Sequence, residues 1–414
     1  MPEKRLILPV RPIFKPMLQI SQRGLALPPS PYRRLTPYAE AARQRGLTVH
    51  PLNIGQPDIE TPPSMLAAVQ QADIRVLEYG PTAGYPSYRQ KLAEYYQRLG
   101  LPVAADDILV TTGGSESISF ALLACLNPGD EFIVPEPFYG PYNAFAIATG
   151  THVVAVASHL ENDFALPPIA EFERRITPRT KAILICSPNN PTGYVYSRQE
   201  LEQLKELCLR HNLYLLSDEA YREFCYDDAF TSALSLAGAD EHVVLLDTIS
   251  KRYSACGARI GALVTKNKAL RDVIFKLAQL RVCPPGLGQL LAEAAADLPE
   301  NYFDHTKAEY QARRDLMVSR LRAMPGVRCP LPRGAFYVLC HLPVDDAERF
   351  ARWLLEDFSY QGQTLMVSPA AGFYATASLG RQQMRLAYVV NQDVINQAMD
   401  CLAVALQQYP GRQG

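Results

Sequence analysis

The feature that most constrains the fold is a set of seven short, continuously apolar runs between residues 107 and 264. They are Ile108–Thr112, Phe132–Pro135, Val153–Ala157, Ala182–Cys186, Tyr214–Ser217, Val243–Asp247 and Ile260–Val264. A strand with one wet face alternates apolar and polar residues, so unbroken runs of this length predict strands covered on both faces. Between them, Glu116–Leu126 and Gln199–His211 carry apolar residues three and four apart, as amphipathic helices do. Strands alternating with helices predict a mainly parallel α/β sheet. Beyond about residue 296 the pattern changes. A long charged helix over Asp304–Ala323 leads to a strand over Gly334–Leu339, a helix over Ala347–Phe358, a strand near Met384–Val389 and a last helix over Gln392–Gln407. This predicts a second, α+β unit, and no internal repeat is visible.

Charge and cysteine usage narrow the function. With 41 basic and 42 acidic side chains in 414 residues, the chain has no net field to collect nucleic acid or anionic lipid. Nine scattered cysteines form no Cys-x-x-Cys pair, the seven histidines show no metal-binding spacing, and no apolar run approaches the length of a membrane span. We therefore expect a metal-free cytoplasmic protein with a small-molecule substrate and neither a nucleic-acid nor a membrane partner. Residues 1–35 lack acidic side chains after Glu3 and are rich in proline and basic residues, which excludes a regular helix there. They read equally as a loose basic tail or as an arm docked on a partner subunit.

In an open α/β sheet, ligands bind beyond the carboxyl ends of the strands, so the residues just past each predicted strand are informative. Gly113-Gly114-Ser115 opens a helix and offers free N–H groups to an anion, although two glycines also make an ordinary strand-to-helix turn. The same turn falls short of a serine-hydrolase elbow, because Ser117 stands where a glycine is needed. The next strand ends lead into Pro137-Phe138-Tyr139, Ser187-Pro-Asn-Asn-Pro-Thr-Gly193, Ser217-Asp218-Glu219-Ala220-Tyr221 and Thr248-Ile249-Ser250-Lys251. Asp218 at the end of a buried strand needs a cation or hydrogen-bond donors to stay ionised, unless it merely caps a helix. Lys251 lies eight residues before Arg259 and is a candidate nucleophilic amine, although a solitary lysine is more often solvated surface.

Together these segments resemble the fold-type I pyridoxal-phosphate enzymes, specifically class I aminotransferases of the aspartate aminotransferase kind. The resemblance runs from about Asn53 to the C-terminus. It rests on Asn53-Ile-Gly-Gln-Pro-Asp58, Tyr79-Gly-Pro-Thr-Ala-Gly84, Ser187–Gly193, Ser217–Tyr221, Ser250-Lys251 through Arg259-Ile-Gly261, Gly334-Ala-Phe-Tyr337 and Arg385-Leu-Ala-Tyr388. It implies an α/β fold with a mainly parallel seven-stranded sheet, helices on both faces and a smaller α+β domain. The expected division is an arm over 1–35, a small domain from 36–65 and 296–414, and a large cofactor-binding domain over 66–295.

The resemblance also implies roles. Lys251 would form the Schiff base with the aldehyde of pyridoxal 5'-phosphate and later carry the proton between substrate α-carbon and cofactor. Asp218 would pair with the pyridine nitrogen, Asn190 and Tyr221 with the ring's phenolic oxygen, and Tyr139 would stack on the ring. Gly114, Ser115, Thr248 and Arg259 would hold the phosphate, with Tyr79 reaching it from the other subunit of a homodimer. Arg385 would clamp the substrate α-carboxylate and Gly55 would leave it room. Gly334–Tyr337 reads as small-domain core. The expected reaction is amino transfer between an α-amino acid and a 2-oxo acid. The alternatives are a lyase or cyclase using the same residues, and a non-catalytic aminotransferase-like binding module. Close relatives in this resemblance place a side-chain-binding lysine where Ser115 stands, so Arg33, Arg34 and Arg281 are candidates to replace it.

Overall fold

The computed structural model describes residues 18–227, 229–299 and 301–413. Its centre is a seven-stranded sheet in the spatial order Ile108–Thr111, Gly261–Val264, Val243–Thr248, Tyr214–Asp218, Thr180–Cys186, Glu131–Glu136 and His152–Ala157. Six strands run parallel, and Gly261–Val264 runs antiparallel to both its neighbours. All seven apolar runs are therefore strands, displaced by no more than two residues at either end.

The continuous apolar character has the expected cause, because successive residues of one strand enter two different cores. Ile183 and Ile185 face the helices Pro86–Arg98 and Arg198–His211. Ala182 and Leu184 face the helices Gly114–Cys125, Pro141–Thr149 and Lys268–Arg281. Local signals set the helix ends. Ser197 accepts from the Glu200 N–H while Glu200 reaches back to the Ser197 N–H, a reciprocal cap that starts Arg198–His211, and Asn212 ends it in the left-handed conformation.

A third core joins the helices Tyr302–Arg322, Ala347–Glu356 and Gln392–Gln408 to a three-stranded antiparallel sheet of Ser368–Pro369, Gln383–Ala387 and Tyr337–His341. Leu35, Ala39 and Ala42 pack into the same core, and Thr48–Pro51 pairs with Gln363–Met366 beside it. The strand expected from Gly334 begins only at Tyr337. Gly334 instead forms an isolated antiparallel bridge with Cys225, and Ala335 and Phe336 form a turn, with Ala335 at φ 56° and its N–H donated to the Phe224 carbonyl. Within the basic arm the structure departs from expectation in two ways. Gln22–Ala26 forms a short helix in a stretch free of proline, started by the Ser21 hydroxyl. Residues 30–35 are packed against the body of their own chain rather than loose. Residues 1–17 lie outside the described residues.

Candidate active site

At the carboxyl ends of the parallel strands, between the large sheet and the small antiparallel one, lies a cavity of about 600 Å³. It is lined by eleven of the twelve residues singled out from the sequence: Gly55, Gly114, Ser115, Tyr139, Asn190, Asp218, Tyr221, Thr248, Lys251, Arg259 and Arg385. The twelfth, Tyr79, is 83% exposed and lies outside the cavity of its own chain.

Asp218 ends its strand with the carboxylate buried. Its Oδ2 accepts from the Tyr142 hydroxyl at 2.7 Å and its Oδ1 from the Ala220 N–H at 3.2 Å, and no cation is bonded to it among the described residues. Burial pushes the carboxyl up from 3.8 to about 6, against the pull of those two hydrogen bonds. Lys251 donates from Nζ to the Gly55 carbonyl at 2.7 Å and sits 6.0 Å from the centre of the Tyr221 ring. Tyr221 shares a 2.9 Å hydrogen bond with the Tyr337 hydroxyl and receives a long one, 3.4 Å, from Asn190 Nδ2. Burial raises the Tyr221 phenol well above 10, which keeps it a proton donor.

Arg385 is 1% exposed. Its guanidinium is packed against the rings of Tyr32 and Tyr337, each 4.4 Å away, and of Phe373 at 5.0 Å. One terminal nitrogen donates to Asn190 Oδ1 at 3.0 Å and the other to the Asn53 carbonyl, whereas Nε has no partner. A buried arginine bonded only to neutral acceptors has no counter-ion and one free donor, which suits a carboxylate. Arg259 stands at φ 55° at the mouth of the cavity and donates only to the Cys256 and Thr112 carbonyls. It lies over Gly113, where a Cβ would come within 2.3 Å of a guanidinium nitrogen, and that glycine precedes the helix Gly114–Cys125. An arginine beside a helix N-terminus is suited to an anion. The cavity thus offers three unmet complementarities: a buried carboxylate lacking a cation, an exposed arginine with a helix start lacking an anion, and a buried arginine with a spare donor.

Beneath this surface the next residues of the same strands point to the opposite face and form a charged network. Asp247 accepts from Arg252 at 3.1 and 2.9 Å and from the Tyr96 hydroxyl at 2.6 Å, with Arg222 3.4 Å away. Burial would raise the Asp247 carboxyl, but Arg222 and Arg252 outweigh it and hold it down at about 2. Glu219 accepts from Ser217, Ser232 and the Ala233 N–H. These contacts fix the turns that carry Asp218 and Lys251.

Residues 48–400 match the family Aminotransferase class I and II. The chain belongs to that family. It is 32% identical over 397 residues to the aspartate/prephenate aminotransferase of Thermus thermophilus, covering 94% of this chain and 99% of the relative. The aspartate aminotransferase structure from Thermotoga maritima superposes with a TM-score of 0.86 at 29% identity, covering 94% of this chain and all of that one. The alanine aminotransferase structure from Pyrococcus furiosus does so at 0.85 and 29%, covering 93% and 99%. This chain is accordingly an aminotransferase of the fold-type I architecture, and its relatives favour amino transfer over lyase or cyclase chemistry and over a non-catalytic role.

Three residues of the cavity and its margin escaped the sequence reading. Tyr337 belongs to the site rather than only to the core, because its ring covers Arg385 and its hydroxyl meets Tyr221. It also fills the space above Gly55, where a Cβ would lie 1.7 Å from the Tyr337 hydroxyl. The signal was present in the pairing of its strand with that of Arg385, Ala387 opposite Tyr337, but no local pattern reveals such a pairing. Tyr142 lies one helical turn beyond the Tyr139 that was singled out, and it carries the hydrogen bond to Asp218. Tyr32 comes from the arm, and its carbonyl accepts from Asn53 at 2.8 Å. Of the three candidate side-chain arginines, Arg34 is paired with Glu348, and Arg281 donates to the Thr82 and Val110 carbonyls outside the cavity. Arg33 lines it. Among the described residues no helix is long and apolar enough to cross a membrane, and no group of metal-ligating side chains is present.

Proposed function

We propose that this aminotransferase moves an amino group between an α-amino acid and a 2-oxo acid with pyridoxal 5'-phosphate held at Lys251, in the cytoplasm and as a homodimer. The observation that carries the reading is Asp218, a buried carboxylate at about 6 with hydroxyl and amide partners but no cation. A protonated pyridine nitrogen is the partner that such a group lacks. Arg259, Gly114, Ser115 and Thr248 would hold the phosphate, and Tyr139 would lie along the ring. When bound, the cofactor supplies an aldehyde that captures amines and a ring that accepts electrons from the substrate α-carbon.

The chain's own groups then have separate tasks. Asp218 holds a proton on the ring nitrogen by opposing its charge. Tyr221 and Asn190 offer donors to the phenolic oxygen, and Tyr337 orients the Tyr221 hydroxyl. Arg385, wedged among three rings, would fix the α-carboxylate, and the Lys251 amine would take the proton from the substrate α-carbon and deliver it to the cofactor carbon that takes the amino group. Tyr79 would reach the phosphate of the partner subunit. Its exposure alongside Val76 and Leu77, 76% and 65% exposed, supports a covered surface there.

The reading is tested by reducing the purified protein with borohydride and mapping the modified peptide. Lys251 is expected to carry the cofactor. Mixing unreduced enzyme with single amino donors should shift the bound cofactor's absorbance from its aldehyde to its amine form. Labelling of a different lysine, or no spectral change with any donor, overturns it.

A further inference from the structure

We infer that Glu136 is a positioning residue for substrate binding, acting from outside the cavity on the arginine that grips the α-carboxylate. The inference rests on the role just proposed for Arg385. Glu136 ends the strand Glu131–Glu136 and is 1% exposed, and it does not line the cavity. Its Oε2 accepts from the N–H groups of Ala375 at 2.8 Å and Thr376 at 3.1 Å, and its Oε1 accepts from the Thr376 hydroxyl at 2.6 Å. One carboxylate of the large sheet thus captures two successive amides and a hydroxyl from the loop that follows the short helix Ala370–Phe373. Hydrogen bonds to a charged acceptor are about twice as strong as those between neutral groups, so this is a firm attachment.

What is attached is Phe373, two residues before Ala375. Its ring lies 5.0 Å from the Arg385 guanidinium and 5.5 Å from the Tyr32 ring, which itself covers Arg385 at 4.4 Å. The Phe138 N–H donates to the Phe373 carbonyl at 2.9 Å, and the Tyr374 hydroxyl donates to Oε1 of Gln383, the first residue of the strand that holds Arg385. Arg385 is bonded only to Asn190 and the Asn53 carbonyl, so the direction of its free Nε depends on the rings packed around it. Glu136 stands in a strand paired with neighbours on both sides, whereas residues 373–376 belong to no strand. Removing the carboxylate therefore loosens the loop and leaves the strand, with Tyr139 three residues beyond it, in place. The loss falls on the α-carboxylate and spares the cofactor.

The test compares the holoenzymes of the wild type, Glu136→Ala, Glu136→Gln and Thr376→Val, each with and without Arg385→Ala. 2-Methylalanine has an α-carboxylate and no α-hydrogen, so titrating the bound cofactor's absorbance with it reads binding without turnover. Half-reactions with alanine read KM and kcat. Glu136→Ala should weaken 2-methylalanine and raise the alanine KM about tenfold, the scale of one charge-assisted hydrogen bond, with kcat and cofactor affinity unchanged. Glu136→Gln, which keeps an acceptor for the two amides, should recover most of that loss. Thr376→Val, at an exposed position, should show about a threefold loss. With Arg385→Ala, neither Glu136→Ala nor Thr376→Val should lower the half-reaction kcat/KM further, because both act through that arginine. Unchanged 2-methylalanine binding in Glu136→Ala overturns the inference, as does an equal loss of cofactor affinity or a tenfold loss that persists without Arg385. Should Glu136→Ala not fold, Thr376→Val decides, and unchanged binding there overturns the inference. If wild-type donors convert the cofactor while these variants bind as the wild type does, only this inference fails. If no donor converts it, the proposed function fails with it.

Discussion

Replacing Asp218 by Asn removes one charge while keeping the size of the side chain and an acceptor for Tyr142. The apoprotein and the holoenzyme should respond in opposite directions. In the folded apoprotein the carboxyl lies at about 6, above the 3.8 of a free carboxyl, so the folded state binds a proton more tightly than the unfolded chain. That contribution to stability is complete below about pH 4 and is lost as pH rises through about 6. Its size is roughly 3 kcal/mol from the displacement between the two values. The Asp218→Asn apoprotein should therefore be more stable than the wild-type apoprotein at pH 7.5, by up to this amount, with the gap closing toward pH 4.5. Bound cofactor should reverse the order, because only the wild type gains a charge pair at the ring nitrogen. Turnover should fall about a thousandfold or more, the consequence of losing a charge that holds the ring proton in a dry site. The assays are thermal unfolding of both apoproteins across this pH range, cofactor titration by absorbance, and rapid-mixing half-reactions at saturating cofactor. Parallel pH dependences of unfolding, or a half-reaction within tenfold of wild type, would refute the reasoning.

Arg385→Ala should weaken every amino donor by a similar factor, about a hundredfold, because the α-carboxylate is common to all; a loss confined to acidic donors in half-reaction KM values would contradict its assignment. Asp247→Asn leaves Arg252 and Arg222 short of a counter-charge, so denaturant unfolding at neutral pH should show a loss of about 3–5 kcal/mol. In the wild type, with this carboxyl held at about 2, the stabilisation is present above about pH 4 and fades as pH falls toward 2. Mixing Tyr79→Ala with Lys251→Ala subunits should regenerate activity up to about a quarter of wild type, since half the dimers are hybrids with one intact site each. Hybrids isolated by paired affinity tags and found inactive would place Tyr79 outside the partner's site.

The sequence by itself determined the sheet and most of the site's inventory. A strand buried on both faces must be apolar throughout, which made seven strands visible without reference to their order. The chemistry of Asp218, Asn190, Lys251 and Arg259 lies within a few residues of those strand ends, so a local reading could gather it. The sequence could not place contacts whose partners are more than a hundred residues apart. Tyr337 reaches Tyr221 across 116 positions, and Arg385 reaches Asn190 across 195. Nor could it separate the functions of neighbours, because Asp218 and Glu219, or Asp247 and Thr248, are adjacent in the chain yet point to opposite faces of one sheet. Only the tertiary structure decided that the Asp218 carboxylate lacks a cation while the Asp247 carboxylate is shared by two arginines. It likewise decided that, of the three candidate arginines, Arg34 and Arg281 are engaged elsewhere and Arg33 lines the cavity. The physical reason is the same in each case: what a charge does depends on what it is buried against, and that is settled by packing between distant parts of the chain.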